Sequence, residues 1–152
     1  MQLLREVASF SPSIEDLKTI YFLFVRSLLE QSATVWHSGL TEENRNDLER
    51  IQKSAVRIIL GDAYIGYKKS LVKLDMETLE DRKKQHCLNF ALKCKNNPKT
   101  SNMFPENMKV HKMITRYEEK YQVEYANTER LRNSPIVYMQ NLLNENELRK
   151  KK

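Results

Sequence analysis

His86, Cys87 and Cys94 are the side chains of this sequence that come nearest to a metal-ligand set. Imidazole and thiolate are the donors zinc takes, but structural zinc sites gather them at short, repeated intervals that this chain lacks. Adjacent residues of a helix also point about 100° apart, so His86 and Cys87 diverge. The two cysteines lie seven apart and share a helix face, where direct disulfide pairing is geometrically poor. They read as core thiols beside a surface histidine. His37 and His111 stand far off in the sequence. The acidic neighbours Glu80-Asp81 and Glu118-Glu119 read as solvated charge, not as a catalytic dyad. No glycine-rich phosphate cradle, His-Glu-x-x-His or Gly-x-Ser-x-Gly occurs. The chain is therefore expected to have no catalytic residue, no metal and no cofactor.

The basic residues carry the remaining chemistry. Arg50, Lys53 and Arg57 recur at helical spacing, Lys68 and Lys69 follow, and Arg82, Lys83 and Lys84 form a third cluster. Such side chains can neutralise nucleic-acid phosphates. Tyr64, Tyr67, Tyr117 and Tyr121 either stack on bases or simply pack. The third cluster sits near a predicted helix start, where the helix dipole disfavours cations. That placement costs a few tenths of a kcal/mol, which suggests a use other than helix stability. The plain alternative for all eight cations is a solvated helical surface, and Trp36 reads as a core anchor.

Helices must position these groups. Leu3, Leu4, Val7 and Phe10 make a first apolar stripe. Ser13 followed by Asp16 predicts a capped helix running to about His37. Its middle, Ile20 to Leu29, is apolar nearly all round and reads as the central helix of the core. Thr41 and Gly61 bracket the next helix, with Leu48, Ile51, Ala55, Ile58 and Ile59 facing inward. A shorter helix is predicted over 64–74, with Lys68, Lys69 and Lys73 exposed. Thr78 caps another to about Asn96, burying Leu79, Cys87, Phe90, Ala91 and Cys94. Residues 97–133 lose periodicity and read as a long irregular segment that packs through Phe104, Tyr117, Tyr121 and Tyr125. Ser134-Pro135 starts a final helix lined by Ile136, Met139, Leu142 and Leu143, followed by a basic end.

Composition bounds the class. The chain has 152 residues, a formal net charge of +6, 3 Gly and 4 Pro. That length suits one domain, and so little Gly and Pro disfavours a β-sandwich or a disordered tract. Two cysteines give no disulfide framework, which fits an intracellular, nuclear or cytoplasmic setting. No signal peptide is visible, and the apolar run is too short for a bilayer, so no membrane is expected. The expected architecture is all-α: five or six helices in a compact bundle, with a long irregular segment before the last helix. The expected divisions are 1–96, 97–133 and 134–152.

Several blocks of sequence carry a resemblance. They are Tyr21-Phe22-Leu23-Phe24-Val25-Arg26-Ser27-Leu28-Leu29-Glu30, Val35-Trp36-His37, Leu48-Glu49-Arg50-Ile51-Gln52-Lys53 and Arg57-Ile58-Ile59-Leu60-Gly61. Further on come Leu79-Glu80-Asp81-Arg82, the stretch Cys87 to Cys94, Asn97-Pro98, Phe104-Pro105, Thr128-Glu129-Arg130, Ser134-Pro135-Ile136 and Leu142-Leu143-Asn144. In order and spacing, over roughly 1–146, they resemble the thumb and downstream region of non-LTR, jockey-like retrotransposon reverse transcriptases. The resemblance implies a non-catalytic C-terminal fragment that braces element RNA or an RNA–DNA template–primer, and that docks on a polymerase palm. The parent would be an RNA-directed DNA polymerase. Its palm aspartates have no counterpart here, because the chain contains no Asp-Asp. The family's occasional zinc knuckle is also missing. On that reading Arg50, Lys53, Arg57, Lys68, Lys69, Arg82, Lys83 and Lys84 contact phosphates.

Leu17 to Gly61 is also similar to a segment at the N-terminus of AlkB-type tRNA-modifying dioxygenase–methyltransferases. That activity would belong to a larger protein, since the His-x-Asp of an iron site does not occur in this chain. A third reading is a helical protein–protein docking module, marked by a large exposed apolar patch on the first two helices.

Overall fold

Side-chain caps set where the helices begin. In a computed structural model describing residues 1–106 and 120–150, Ser13, Thr41 and Thr78 each accept from the backbone amide three residues on, at 3.1, 3.2 and 3.1 Å. Each satisfies an amide that the first helical turn leaves without a partner. The helices are α1 (Gln2–Ala8), α2 (Ile14–Ile20), α3 (Ser27–Glu30), α4 (Ala33–Trp36), α5 (Glu42–Leu60), α6 (Tyr67–Lys73), α7 (Leu79–Asn96), α8 (Glu129–Arg132) and α9 (Pro135–Lys150). A π-helical stretch, Tyr21–Arg26, joins α2 to α3. The fold is all-α.

The chain forms two compact units, Met1–Ala33 with Leu40–Lys83, and Thr34–Gly39 with Lys84–Lys152. The division falls inside α7. Its cause is packing: Cys87 and Ala91 share a core with Phe104, Tyr121, Met139, Leu142 and Leu143.

In the first unit α5 is the spine. Ala55, Val56, Ile59 and Leu60 bury one stripe of it among Leu4, Leu17, Tyr21, Leu71, Leu74 and Met76. Burying a side chain such as Leu17 or Ile59 contributes about 2 kcal/mol. This corrects the expectation that the apolar run at 20–29 is central. Within that run Leu23, Phe24 and Leu28 are 63%, 56% and 70% exposed. The helix also ends early, since Ser32 takes a positive φ of 52° and the chain restarts at α4. Gly61 (φ 47°) closes α5, and Gly66 (φ 106°) delays α6 to Tyr67; both conformations suit glycine.

In the second unit α9 buries Val137, Met139, Leu142 and Leu143 together with two amides, Gln140 and Asn144. These amides organise the irregular segment. Asn144 accepts from the Tyr121 amide at 2.9 Å and donates to the Tyr121 carbonyl at 3.0 Å. One helical turn earlier, Gln140 donates to the Met103 carbonyl at 3.0 Å and accepts from the Glu124 amide at 3.2 Å. The Gln122 amide donates to the Pro105 carbonyl at 2.9 Å beside an antiparallel bridge between Glu106 and Tyr121. Phe104 and Tyr121 are buried as expected, whereas Tyr125, expected to pack, is exposed, and so is Phe90, contrary to its helical periodicity. Tyr117 and His111 lie outside the described residues. His37 is buried with its ring edge-on to Tyr138, centroids 5.7 Å apart.

Candidate nucleic-acid interface

Helical geometry separates the eight candidate cations into two groups. Arg50, Lys53 and Arg57 lie on α5 at intervals of three and four, opposite its buried stripe, and all three are exposed. Lys68 and Lys69, exposed on α6, join them in the same unit, where α6 packs against α5. Two of the α5 cations already have neighbours. Arg50 donates to Asp47 at 2.7 Å, and the Arg57 guanidinium lies 5.3 Å from the centre of the Tyr64 ring. Lys53, Lys68 and Lys69 have no carboxylate partner among the described residues.

The third cluster does not form a face. Leu79, Lys83, Cys87 and Ala91 recur every four residues along the buried side of α7, and Lys83 falls in that register. Only 2% of it is exposed, and burial pushes its ammonium below the usual lysine range. Arg82 turns instead to α3. Its Nε and Nη2 donate to the two Glu30 oxygens at 2.6 and 3.2 Å, and Glu30 also meets Arg26 Nε at 3.3 Å. The Glu30 bond raises the Arg82 pKa, while burial and the facing Arg82 lower that of Arg26. The Arg26 guanidinium stacks 4.1 Å from the centre of the Phe22 ring. Lys84 belongs to the second unit and pairs with Glu145 at 3.0 Å. Lys83 is thus part of the fold and not an exposed cation, Arg82 is held by Glu30, and Lys84 is paired on the surface as Arg50 is with Asp47.

Sequence reasoning missed a concave surface beside the α5 cations. A hollow of about 650 Å³ is lined by Leu40, Glu42, Arg45, Asn46, Glu49, Tyr67, Thr78 and Glu80. A second, of about 320 Å³, shares Asn46, Glu49 and Tyr67 and adds Arg50 and Lys53. Glu42, Asn46, Glu49 and Lys53 recur at three- and four-residue steps, a signal present in the sequence but polar throughout. The Tyr67 hydroxyl donates to Glu49, and Arg45 meets Glu80 at 3.5 Å. Burial first, and then the bond to Glu49, raise the Tyr67 phenol above the usual tyrosine range. Tyr64 and Tyr67 are half-buried and engaged, so they pack and offer no open ring for stacking.

Among the described residues no group of three or more His, Cys, Asp or Glu is arranged to hold a metal, and no helix is long and apolar enough to cross a membrane. Comparison with protein families, curated proteins and solved structures found no match to this chain.

Proposed function

We propose that the chain is a non-catalytic helical module of a retrotransposon reverse transcriptase, and that its first unit braces RNA or a template–primer by phosphate contact. The observation that carries this reading is the row of exposed cations on two packed helices, Arg50, Lys53 and Arg57 on α5 with Lys68 and Lys69 on α6. Cations held on rigid elements bind a polyanion without sequence preference and release its counterions. The order of sequence blocks that resembles the region beyond the polymerase palm supplies the parent. The test is RNA binding at low salt by the purified chain and by a Lys53→Gln/Arg57→Gln variant. A several-fold loss in the variant is expected. Equal binding by both counts against this face.

A second reading has its own observation. Leu23, Phe24 and Leu28 present exposed apolar surface on and just beyond the π-helical stretch, in the region expected of a docking module. On that reading a catalytic domain supplied in trans binds the wild-type chain and not a Leu23→Gln/Phe24→Gln/Leu28→Gln variant.

A further inference from the structure

Residues 121–124 run along α9 and are held by side chains where a sheet would supply main chain. Asn144 engages both main-chain groups of Tyr121, and Gln140 takes the Glu124 amide. One further bond runs from the Gln122 amide to the Pro105 carbonyl. Tyr121 is buried, Val123 is half-buried, and Gln122 and Glu124 are exposed. A segment with one deep anchor, exposed flanks and bonds to side-chain tips opens locally at less cost than the helices beneath it. The anchor also spans a defined part of α7. Its main chain is fixed at Asn144, next to Glu145, which pairs with Lys84. Its hydroxyl accepts from Lys95, whose ammonium lies 4.9 Å from the ring centre. Cys87 and Ala91 lie on α7 between those two points and belong to the same buried cluster as Tyr121.

We propose that residues 121–124 form a strap that leaves α9 as a local unit while α7 and α9 stay folded, and that its release uncovers the Cys87 thiol. With the strap closed, Cys87 is 1% exposed. With it open, the side of α7 that carries Cys87 and Ala91 meets solvent along the slot the tyrosine ring has vacated. Cys94, half-buried on the same helix, serves as the reference thiol. Strap release requires no nucleic acid.

The test alkylates the folded chain with iodoacetamide over a urea series below the unfolding transition, and reads Cys87 and Cys94 separately by mass spectrometry. The rise of a labelling rate with urea reports how much surface the opening exposes. For wild-type Cys87 that slope should be less than about a third of the slope for full unfolding. Asn144→Ala removes two main-chain bonds of the closed strap and should speed Cys87 labelling at low urea about tenfold or more. Val137→Ala trims a buried α9 side chain outside the cluster that holds Tyr121. It should lower the urea midpoint and leave the low-urea Cys87 rate within about twofold of wild type. If Asn144→Ala does not fold, the wild-type slope decides. A Cys87 rate that follows full unfolding throughout overturns the proposal, as does equal acceleration by the two variants. Cys87 labelling as fast as that of Cys94 in the wild-type chain overturns it too.

Discussion

The Tyr67 hydroxyl donates to the Glu49 carboxylate and so ties α6 to α5, the two helices that carry the exposed cations. Tyr67→Phe removes that donor and leaves the half-buried carboxylate one bond short. A loss of about 1–2 kcal/mol is expected, read as a lower urea midpoint. An unchanged midpoint would show that apolar packing alone fixes α6.

The same contact predicts a pH dependence. Burial raises the phenols of both Tyr21 and Tyr67 above their ordinary value near 10. A raised folded-state pKa means that the folded chain holds its proton where the unfolded chain has released it. The stabilisation is therefore complete below about pH 10 and is lost as the pH rises above it. Urea midpoints should fall through the alkaline range, and the fall should be shallower for Tyr67→Phe. Parallel curves for the two proteins would contradict this.

Glu30 lies between two arginines, so its removal leaves two guanidiniums facing each other. Glu30→Gln should destabilise the first unit by about 2 kcal/mol, less than for a fully buried pair because Arg82 is partly exposed. Arg82→Gln should likewise lower stability while leaving the salt dependence of RNA binding as it was. Chemical denaturation and salt titration of one variant separate those two roles.

Asn144 satisfies both main-chain groups of a buried residue with one side chain. Asn144→Ala leaves the Tyr121 amide and carbonyl without that partner, at a cost of about 2–3 kcal/mol. Amide exchange should speed up at Tyr121 more than at Val56, which belongs to the other unit's core. Uniform acceleration along the chain would argue against a local clamp.

Caps and turns were the most legible part of the sequence. Ser13, Thr41, Gly61, Thr78 and Pro135 each announce a helix end by a local bond or backbone preference, and the structure follows them. Buried polar residues were opaque. Gln52, Gln140 and Asn144 look like surface residues until their loop partners are known, because burial depends on distant main-chain groups such as the Glu77 carbonyl, 2.8 Å from Gln52 Nε2. The largely apolar run at 20–29 misled for a related reason. Hydrophobicity reports what a helix can bury, not what covers it, and Leu23 and Leu28 are exposed. Of the candidate cations, charge spacing placed Arg50, Lys53, Arg57, Lys68 and Lys69 on the exterior correctly. It misplaced Lys83, although its register with Leu79, Cys87 and Ala91 was open to view.

The most direct test of phosphate bracing is the salt dependence of binding to a paired RNA stem, for the wild-type chain and for a Lys53→Gln/Arg57→Gln/Lys68→Gln/Lys69→Gln variant. Each phosphate contact contributes about 0.7–0.9 to the slope of log affinity against log salt. The wild-type slope should be steep and negative, and the variant's should be shallower by about 3. Equal slopes with equal affinity would contradict the account, as would a wild-type chain that binds no RNA at low salt.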